Sequence, residues 1–468
     1  MKNQVYICAI LLIASAFFSL AKATSNNPEK PLPKIAIIAE KIASKYYETG
    51  RFSGSLLLAK DGQVFFERSY GYEDKNEKRY NSLNTRFALG SIVKNYTKVL
   101  ILQQVELGKL SLNDTIDKYE LGFPTEIASK VTIQHLLNHR AGFGDIFTAQ
   151  YRENQLGFDT LEKKLALLIN ESLLFQPDTD YSYSNYGYII LGVILEKITN
   201  QSFEDLLNKN IFERINLQNT SFKVDTTAKH QSTRYSYLYD GSLIEVGVTE
   251  HSSPDGGIES TVKDVQKFYR ELFYGISLLD RSNPIVKKAF AMSGEHWGAF
   301  GGGIGVSAAV EVNLAEGIEV IVLANTDKLV AEFISGRIQS FIKSGSYEEI
   351  RPLEVNYAYD IYKKNGKENF YKNFQKSYEA NGHTQFIGRT INELGMQLLK
   401  ASSWKEALDI FGYLVSIFPD APQVYDSLAF AYLSMDEQKK AQITFQKALE
   451  IKADFNSDYV SDNYIYRQ

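Results

Sequence analysis

Apolar residues along the chain change from helical spacing to extended spacing close to the amino terminus. Positions 35–47 have the helical spacing and predict a first helix. Two extended apolar runs, 54–59 and 63–66, lie on either side of Asp61-Gly62, a pair typical of tight hairpin turns. A helix followed by an antiparallel hairpin predicts the beginning of an α+β domain.

The middle of the chain has mainly helical patterns, and strand patterns return late. Apolar and β-branched residues alternate over 306–312 and 318–323. A sheet assembled from both ends of a domain, with helices from its middle, fits this order. We therefore predict an α+β domain over residues 34–345. Its predicted central helices cover residues 93–107, 132–137, 161–169 and 188–198.

The last hundred residues contain a sequence repeat with a fixed period of 34 positions. An Ala-x-x-x-Phe pattern at Ala407 and Phe411 occurs again at Ala441 and Phe445. This spacing is typical of tetratricopeptide helical hairpins. Leu394, Gly395 and Leu398 also match Leu428, Ala429 and Tyr432 at the same period.

We predict tetratricopeptide-like repeats over residues 389–458, preceded by a helical connector at 346–388 and followed by a tail at 459–468. Two repeats bury little apolar surface, so the tyrosine-rich stretch near 355–378 is expected to pack against them. Two interpretations stay open for the repeats. They either present a surface for a protein partner or form an amphipathic helical cap without a ligand.

The amino terminus resembles a secretory signal peptide. Lys2 precedes an almost unbroken apolar run over 5–20, and Ala21-Lys22-Ala23 has the small-x-small pattern of a cleavage site. The run is shorter than the ~20 residues that a bilayer span needs, and an uncleaved anchor is the alternative. We predict a signal peptide at 1–23, a polar linker at 24–33, and an exported protein, periplasmic or secreted, with no membrane span after cleavage.

Composition and charge narrow the range of partners. Hydrophobic residues make up 44% of the chain and charged residues 23%, which indicates a globular protein. The 51 Lys and Arg residues against 56 Asp and Glu residues leave no basic excess, which argues against binding of nucleic acid. The one cysteine, Cys8, lies in the predicted signal peptide, so the mature chain would have no thiol for disulfides or catalysis.

Two short motifs suggest nucleophilic catalysis. Ser91 and Lys94 stand three residues apart at a glycine-to-helix junction, so both side chains would lie on one helix face. A lysine in a dry cleft loses its proton more readily than one in water and is a plausible base for the serine. Tyr183 and Asn185 precede an apolar helix, where a phenol can relay a proton and an amide can hold the lysine and a substrate carbonyl.

These motifs, with several others in the same order, make residues 34–345 similar to the serine β-lactamase and D,D-peptidase superfamily, in its class C-like, esterase-like branch. The resemblance implies an antiparallel sheet flanked by helices plus an all-helical domain. It also implies that Ser91 is acylated, that Lys94 is its base, and that Tyr183 and Asn185 form the second motif, without a metal or another cofactor. The further matching blocks are 52–55, 70–72, 135–142, 191–192 and 256–261.

The third motif of this family, Lys-Thr-Gly or His-x-Gly, is atypical here. His296-Trp297-Gly298 spells His-x-Gly, but counting back from the late strand places Ala299 or Phe300 nearer the expected position. A lengthened glycine loop would restore His296, and both alignments stay open. The candidate substrate-binding residues are His296, Gly301, Gly302 and Gly303, of which the glycines offer backbone N–H groups for an oxyanion hole.

Two other motifs are weaker evidence for a functional site. Gly303 to Ala308 matches a dinucleotide fingerprint, but a strand pattern follows where a helix is required. His135 and His139 have the i,i+4 spacing of metal ligands, but the intervening residues lack a catalytic Glu, so packing and hydrogen bonding are the expected roles.

The leading hypothesis is an exported serine hydrolase that forms an acyl-enzyme on an ester, amide or peptide substrate. Without a lysine in the third motif, a substrate carboxylate loses its charged partner, so esters and uncharged amides are favoured over β-lactams. The alternative is a binding or scaffold protein that kept the fold, lost turnover and uses its repeat-containing tail.

Overall fold

The structure is a computed structural model that describes residues 32–225, 228–292, 294–457 and 459. The predicted signal peptide, most of the predicted linker and nearly all of the predicted tail lie outside these residues. The first described helix begins at Leu32, which is also the first described residue.

A five-stranded antiparallel sheet forms the centre of the first domain, in the order β2-β1-β11-β10-β9. The hairpin predicted around Asp61-Gly62 is confirmed, and both residues have the positive φ that such a turn requires. Strands β1 and β11 pair side by side although they come from opposite ends of the domain. The strands are β1 (Gly54–Lys60), β2 (Gln63–Tyr70), β3 (Tyr72–Asp74), β4 (Arg79–Tyr80), β5 (Phe87–Ala88), β6 (Arg234–Tyr237), β7 (Leu243–Val246), β8 (Glu259–Ser260), β9 (His296–Gly303), β10 (Val306–Asn313) and β11 (Ile318–Ala324).

Helices cover both faces of this sheet, which explains why its central strands are apolar throughout. Leu57 of β1 points into the core shared with the central helices, whereas Leu58 points into the core shared with the first and eleventh helices. The predicted α+β fold is confirmed. The helices are α1 (Leu32–Glu48), α2 (Val93–Glu106), α3 (Thr125–Ala128), α4 (Ile133–Leu137), α5 (Ala149–Glu153), α6 (Leu161–Ala166), α7 (Asn185–Thr199), α8 (Phe203–Leu207), α9 (Val262–Tyr274), α10 (Pro284–Ala289), α11 (Val330–Ser344), α12 (Glu354–Ala380), α13 (Ile387–Lys400), α14 (Trp404–Ile417), α15 (Pro422–Ser434) and α16 (Gln438–Ile451).

The carboxyl-terminal part, α12 to α16, is entirely helical. The expected packing of the tyrosine-rich connector against the following helices is confirmed, because α12 shares a core with α13 and α14. Gly366, with φ of 73°, kinks α12. Helices α13 to α16 alternate with short connections, as the repeat predicts, but their assignment to the tetratricopeptide class stays a prediction.

The helical part contacts the first domain at two places. The Asn356 amide on α12 donates hydrogen bonds of 2.8 Å to the carbonyl oxygens of Leu238 and Tyr239, which lie between β6 and β7. Lys328, between β11 and α11, forms an ion pair of 3.0 Å with Glu393 on α13. None of the helices in the described ranges combines the length and apolarity that a bilayer crossing needs.

Two helical glycines give opposite predictions for stability. A Cβ at Gly395 on α13 would lie 2.6 Å from the buried ring of Phe411, whereas nothing lies within 4 Å of a Cβ at Gly336 on α11. Gly336→Ala should stabilise the protein by about 1 kcal/mol through helix propensity. Gly395→Ala should destabilise it by about 1–2 kcal/mol because overpacking outweighs that gain. The urea concentration at the unfolding midpoint would measure the change in stability of both variants. Equal changes in the two variants would contradict the close packing of α13 on α14.

Candidate active site

Ser91 lies in a single 3-10 turn, Gly90–Ile92, between strand β5 and helix α2. Strand β5 pairs with β8 and so fixes the chain just before the serine. Gly90 has φ of 52°, in the left-handed region that favours glycine. A Cβ on Gly90 would lie 2.9 Å from the backbone nitrogen of Gly302 on β9. The serine turn is therefore pressed closely against the edge strand of the sheet.

Lys94 is buried one turn into the site, with 5% of its surface exposed. Its Nζ lies 3.1 Å from Ser91 Oγ, 2.7 Å from Asn185 Oδ1 and 2.9 Å from the carbonyl oxygen of Asp255. The rings of Tyr183 and Tyr188 lie 5.1 and 5.6 Å from the same nitrogen. Lys94 therefore connects the serine to the start of α7 in a largely apolar environment.

Tyr183 and Asn185 come from the segment that starts helix α7, where Ser184 is the N-cap residue. The phenolic O–H of Tyr183 donates to Ser91 Oγ over 2.8 Å. The Asn185 side chain is buried, whereas Tyr183 is 42% exposed at the mouth of the site. The structure thus brings together all four residues that the sequence singled out as catalytic.

Two of the predicted glycines on β9 lie beside the serine. A Cβ at Gly301 would overlap the carbonyl oxygen of Leu89 at 2.0 Å and lie 3.0 Å from the backbone nitrogen of Ser91. The backbone nitrogen of the next residue, Gly302, lies 2.9 Å from the position of a Cβ on Gly90, directly before Ser91. Gly303 is one residue further along, at the turn into β10. A side chain at Gly301 would push the serine turn away from the strand.

The structure does not bring His296 to Ser91. His296 begins β9 five residues before Gly301, a separation of roughly 16 Å along an extended strand. Its Nε2 instead lies 3.2 Å from Glu311 Oε2 on the neighbouring strand β10. The strand is regular from His296 to Gly303, so no lengthened loop restores the His-x-Gly alignment. Ala299 and Phe300, directly before Gly301, occupy the positions nearest the site.

Asp145, which no sequence motif indicated, orients Asn185. Asp145 Oδ2 accepts a hydrogen bond of 3.0 Å from the Asn185 amide, and Oδ1 accepts one of 3.1 Å from its backbone N–H. With its nitrogen held in this way, the Asn185 amide turns its oxygen toward Lys94. Asp145 lies in a loop without periodicity, and the only local signal was its closeness to the block at 135–142.

The ring of His139 packs against the ring of Tyr183. The two rings stack with centroids 4.4 Å apart, and His139 Nδ1 accepts a hydrogen bond from the Ser184 backbone N–H. Burial lowers the pKa of His139 to about 4, and the positive charges of Lys94 and Lys98 act in the same direction. His139 is therefore neutral at pH 7.

The other candidate histidine has a local role. His135 Nδ1 accepts from the Thr132 backbone N–H in a capping box at the start of α4. In the part of the chain that the structure describes, no three His, Cys, Asp or Glu side chains group closely enough to hold a metal ion. Packing and hydrogen bonding are thus the observed contacts of both histidines. The dinucleotide-like glycines also continue into strand β10 rather than a helix.

A family model described as beta-lactamase matches residues 36–339, which is more than half of the chain. The chain belongs to the beta-lactamase family. Members of this family are serine hydrolases of the β-lactamase and penicillin-binding type, and the resemblance inferred from the sequence is confirmed.

Three similar proteins illustrate the range of this family. Penicillin-binding protein 4* of Bacillus subtilis is 32% identical over 197 residues, which are 41% of this chain and 43% of that protein. The chain thus spans less than half the length of this curated relative. A penicillin-binding protein from Bacillus halodurans has a TM-score of 0.57 at 23% identity, covering 65% of this chain and 99% of the other. EstCE1, a hydrolase with promiscuous acyltransferase activity, has a TM-score of 0.55 at 20% identity, covering 68% and 99%.

The depressed pKa of His139 predicts acid sensitivity. Because the native state favours the neutral His139 ring, the contribution of this ring to stability is fully present above its pKa in the unfolded state, near 6.5. The contribution is lost as the pH falls toward 4. Protonation of this ring should lower the free energy of unfolding by up to about 3 kcal/mol. Urea unfolding at pH 7 and pH 4.5 would measure it, with His139→Gln as the comparison. The variant should lose less stability than the wild type, and an identical loss in both would contradict the assignment.

Proposed function

We propose that the protein is a serine hydrolase that forms an acyl-enzyme through Ser91 and acts on esters or uncharged amides. The observation that carries this proposal is the hydroxyl oxygen of Ser91, which lies within hydrogen-bond distance of both Lys94 Nζ and Tyr183 Oη. A nucleophile with two adjacent proton-handling groups is the arrangement that acyl transfer requires. The similar proteins described as penicillin-binding and as a hydrolase with acyltransferase activity support the same reaction class.

The proposed steps follow from these contacts. Ser91 Oγ attacks the substrate carbonyl while its proton passes to Lys94, and the backbone N–H groups of Ser91 and Gly302 stabilise the developing oxyanion. Tyr183, at the open side, passes a proton to the leaving alcohol or amine as the carbonyl re-forms. Water then attacks the acyl carbonyl and gives a proton to Tyr183. The bond from the carbonyl carbon to Ser91 Oγ breaks, Lys94 returns its proton to this oxygen, and the acid leaves with Ser91 restored.

Strand β9 supports the preference for uncharged substrates. Ala299 and Phe300 precede Gly301 at the positions where the family has Lys-Thr or His-x, and β9 contains neither Lys nor Arg. A substrate carboxylate placed there finds no charged partner on β9 itself, and a charge-assisted hydrogen bond contributes roughly 1.5–3 kcal/mol. The scaffold alternative rests on the atypical third motif and on the repeat-containing tail. The mutual contacts of Ser91, Lys94, Tyr183 and Asn185 favour the hydrolase instead.

Labelling with a fluorophosphonate tests the nucleophile. Mass spectrometry should find one adduct, on Ser91, and Ser91→Ala should abolish both the adduct and ester hydrolysis. Lys94→Met should lower kcat/KM for a p-nitrophenyl ester roughly 10²–10⁴-fold, because the general base is lost. No adduct on Ser91, or full hydrolysis by Ser91→Ala, would refute the proposal.

The role of Tyr183 has a matched control in the chain. Tyr181 is also exposed at the site, stacks edge-on against His139, and has no hydroxyl contact to Ser91. Tyr183→Phe should lower kcat at least roughly tenfold, since it removes the proton relay but keeps the ring, whereas Tyr181→Phe should have little effect. Steady-state kinetics would measure both variants, and equal effects would contradict the relay.

We also infer that the enzyme works outside the cytoplasm, in the periplasm or secreted. The support is the apolar segment over 5–20 with its small-x-small site, together with a relative named as a penicillin-binding protein. Amino-terminal sequencing of protein from the native host should find a mature chain that starts near Thr24. A chain that keeps Met1 and stays in the cytoplasm would contradict this inference.

A further inference from the structure

Lys98 is a partly buried cation that the proposed reaction does not use. It lies one turn after Lys94 on α2, and its Nζ donates a hydrogen bond of 3.2 Å to the carbonyl oxygen of Ala289 on α10. The ring of Phe290 lies 5.2 Å from the same nitrogen. Among the residues that the structure describes, no carboxylate forms an ion pair with it. An ammonium group has three donors, so Lys98 keeps donors for a further partner.

The charge of Lys98 is not balanced by its surroundings. Burial lowers the pKa of Lys98 to about 8, so the side chain is still mainly protonated at pH 7. Lys164 on α6 shows the contrast: burial lowers its pKa too, but the negative charges of Asp255 and Glu250 oppose that shift. A buried cation without an acid beside it costs free energy, and a negatively charged ligand would remove this cost.

Lys98 lines an open cleft of about 270 Å³ between α2, α4 and α10. The other charged residue of its lining is Lys288, which is exposed on α10. Apolar side chains, among them Val105, Leu112 and Leu137, and neutral polar side chains form the rest of the wall. No Asp or Glu is found among the described residues that line the cleft. The cleft therefore combines apolar contact with positive charge.

This combination favours a ligand that has a negatively charged end and a short hydrocarbon chain. A carboxylate fits better than a polyanion, because its single charge matches the one partly buried ammonium and because its hydrogen bonds to that ammonium are charge-assisted. We propose that the cleft binds a short-chain carboxylate, with its charged end on Lys98 and with Lys288 at the rim. Neither Ser91 nor Tyr183 lines the cleft, so it is a second ligand site and does not depend on the proposed function.

Hexanoate is the probe, and isothermal titration calorimetry of the full chain at pH 7 measures its binding. The wild type should bind hexanoate with a saturable isotherm, and 1-hexanol, which has the same chain without the charge, at least about tenfold more weakly. Lys98→Met should lower the affinity for hexanoate at least about tenfold, because it removes the ammonium and keeps the length of the side chain. No saturable binding, or equal binding of hexanoate and 1-hexanol, would overturn the proposal.

Two neighbouring lysines on α10 test the place of binding. Lys287 and Lys288 are both exposed, but only Lys288 lines the cleft. Lys288→Gln should weaken the binding of hexanoate about threefold, since an exposed charge at the rim contributes less than the partly buried one. Lys287→Gln should leave the affinity unchanged. Equal losses in the two variants would overturn the proposal, because they would indicate a general attraction of anions to this helix.

Urea unfolding separates binding from damage to the fold. Replacing an unbalanced cation by an apolar side chain of similar length should leave the unfolding midpoint of Lys98→Met unchanged or raise it. Hexanoate should raise the midpoint of the wild type but not that of Lys98→Met, because only the wild type binds it. An equal rise in both proteins would place hexanoate at another site and overturn the proposal.

The outcomes for the cleft and for the reaction at Ser91 are independent. A protein that binds hexanoate through Lys98 but forms no adduct on Ser91 and hydrolyses no ester would support the cleft and refute the proposed function. Hydrolysis through Ser91 without binding of hexanoate would do the reverse.

Discussion

The amine of Lys94 joins three segments that are far apart in the sequence. It contacts Ser91 on its own turn, Asn185 at the start of α7 and the carbonyl of Asp255 before β8. Each partner is an oxygen, and the lysine is almost completely buried, so loss of the amine would leave unpaired polar groups in an apolar environment. These contacts therefore join the Ser91 turn to the start of α7 and to the segment before β8.

The residues around Lys94 and Ser91 are positioned by the shape of the backbone more than by charge. Gly90 and Gly301 let the serine turn approach the edge strand to a distance that a Cβ would prevent. Asp145 and the neutral His139 fix the two residues of the second motif without adding a group that touches the serine. The side chains around Ser91 are thus held in place by the surrounding chain.

The chain pattern was sufficient to predict the main helices and strands, and to single out the four residues that the structure brings together around Ser91. The hairpin at Asp61-Gly62 and the late apolar strands follow from local turn chemistry and from burial on both faces, which are properties of adjacent residues. The spacing of three residues brings Ser91 and Lys94 together across the junction between the 3-10 turn and α2. His296 was ambiguous because strand register depends on pairing with β10, and a one-dimensional count cannot fix it. Asp145 contacts Asn185 across a long sequence separation, so no local pattern indicates it.

The hydrogen bonds from Asn356 to the loop between β6 and β7 have a consequence for what constitutes an independent folding unit. Ending the chain at 345 would leave the carbonyls of Leu238 and Tyr239 without these donors and expose the Tyr239 ring, which packs against Tyr359. The same loop follows β6, whose Tyr237 and Ser236 hold Asp327. The helices after residue 345 thus shield polar and aromatic groups of the first domain, and the two parts of the chain are packed as one unit.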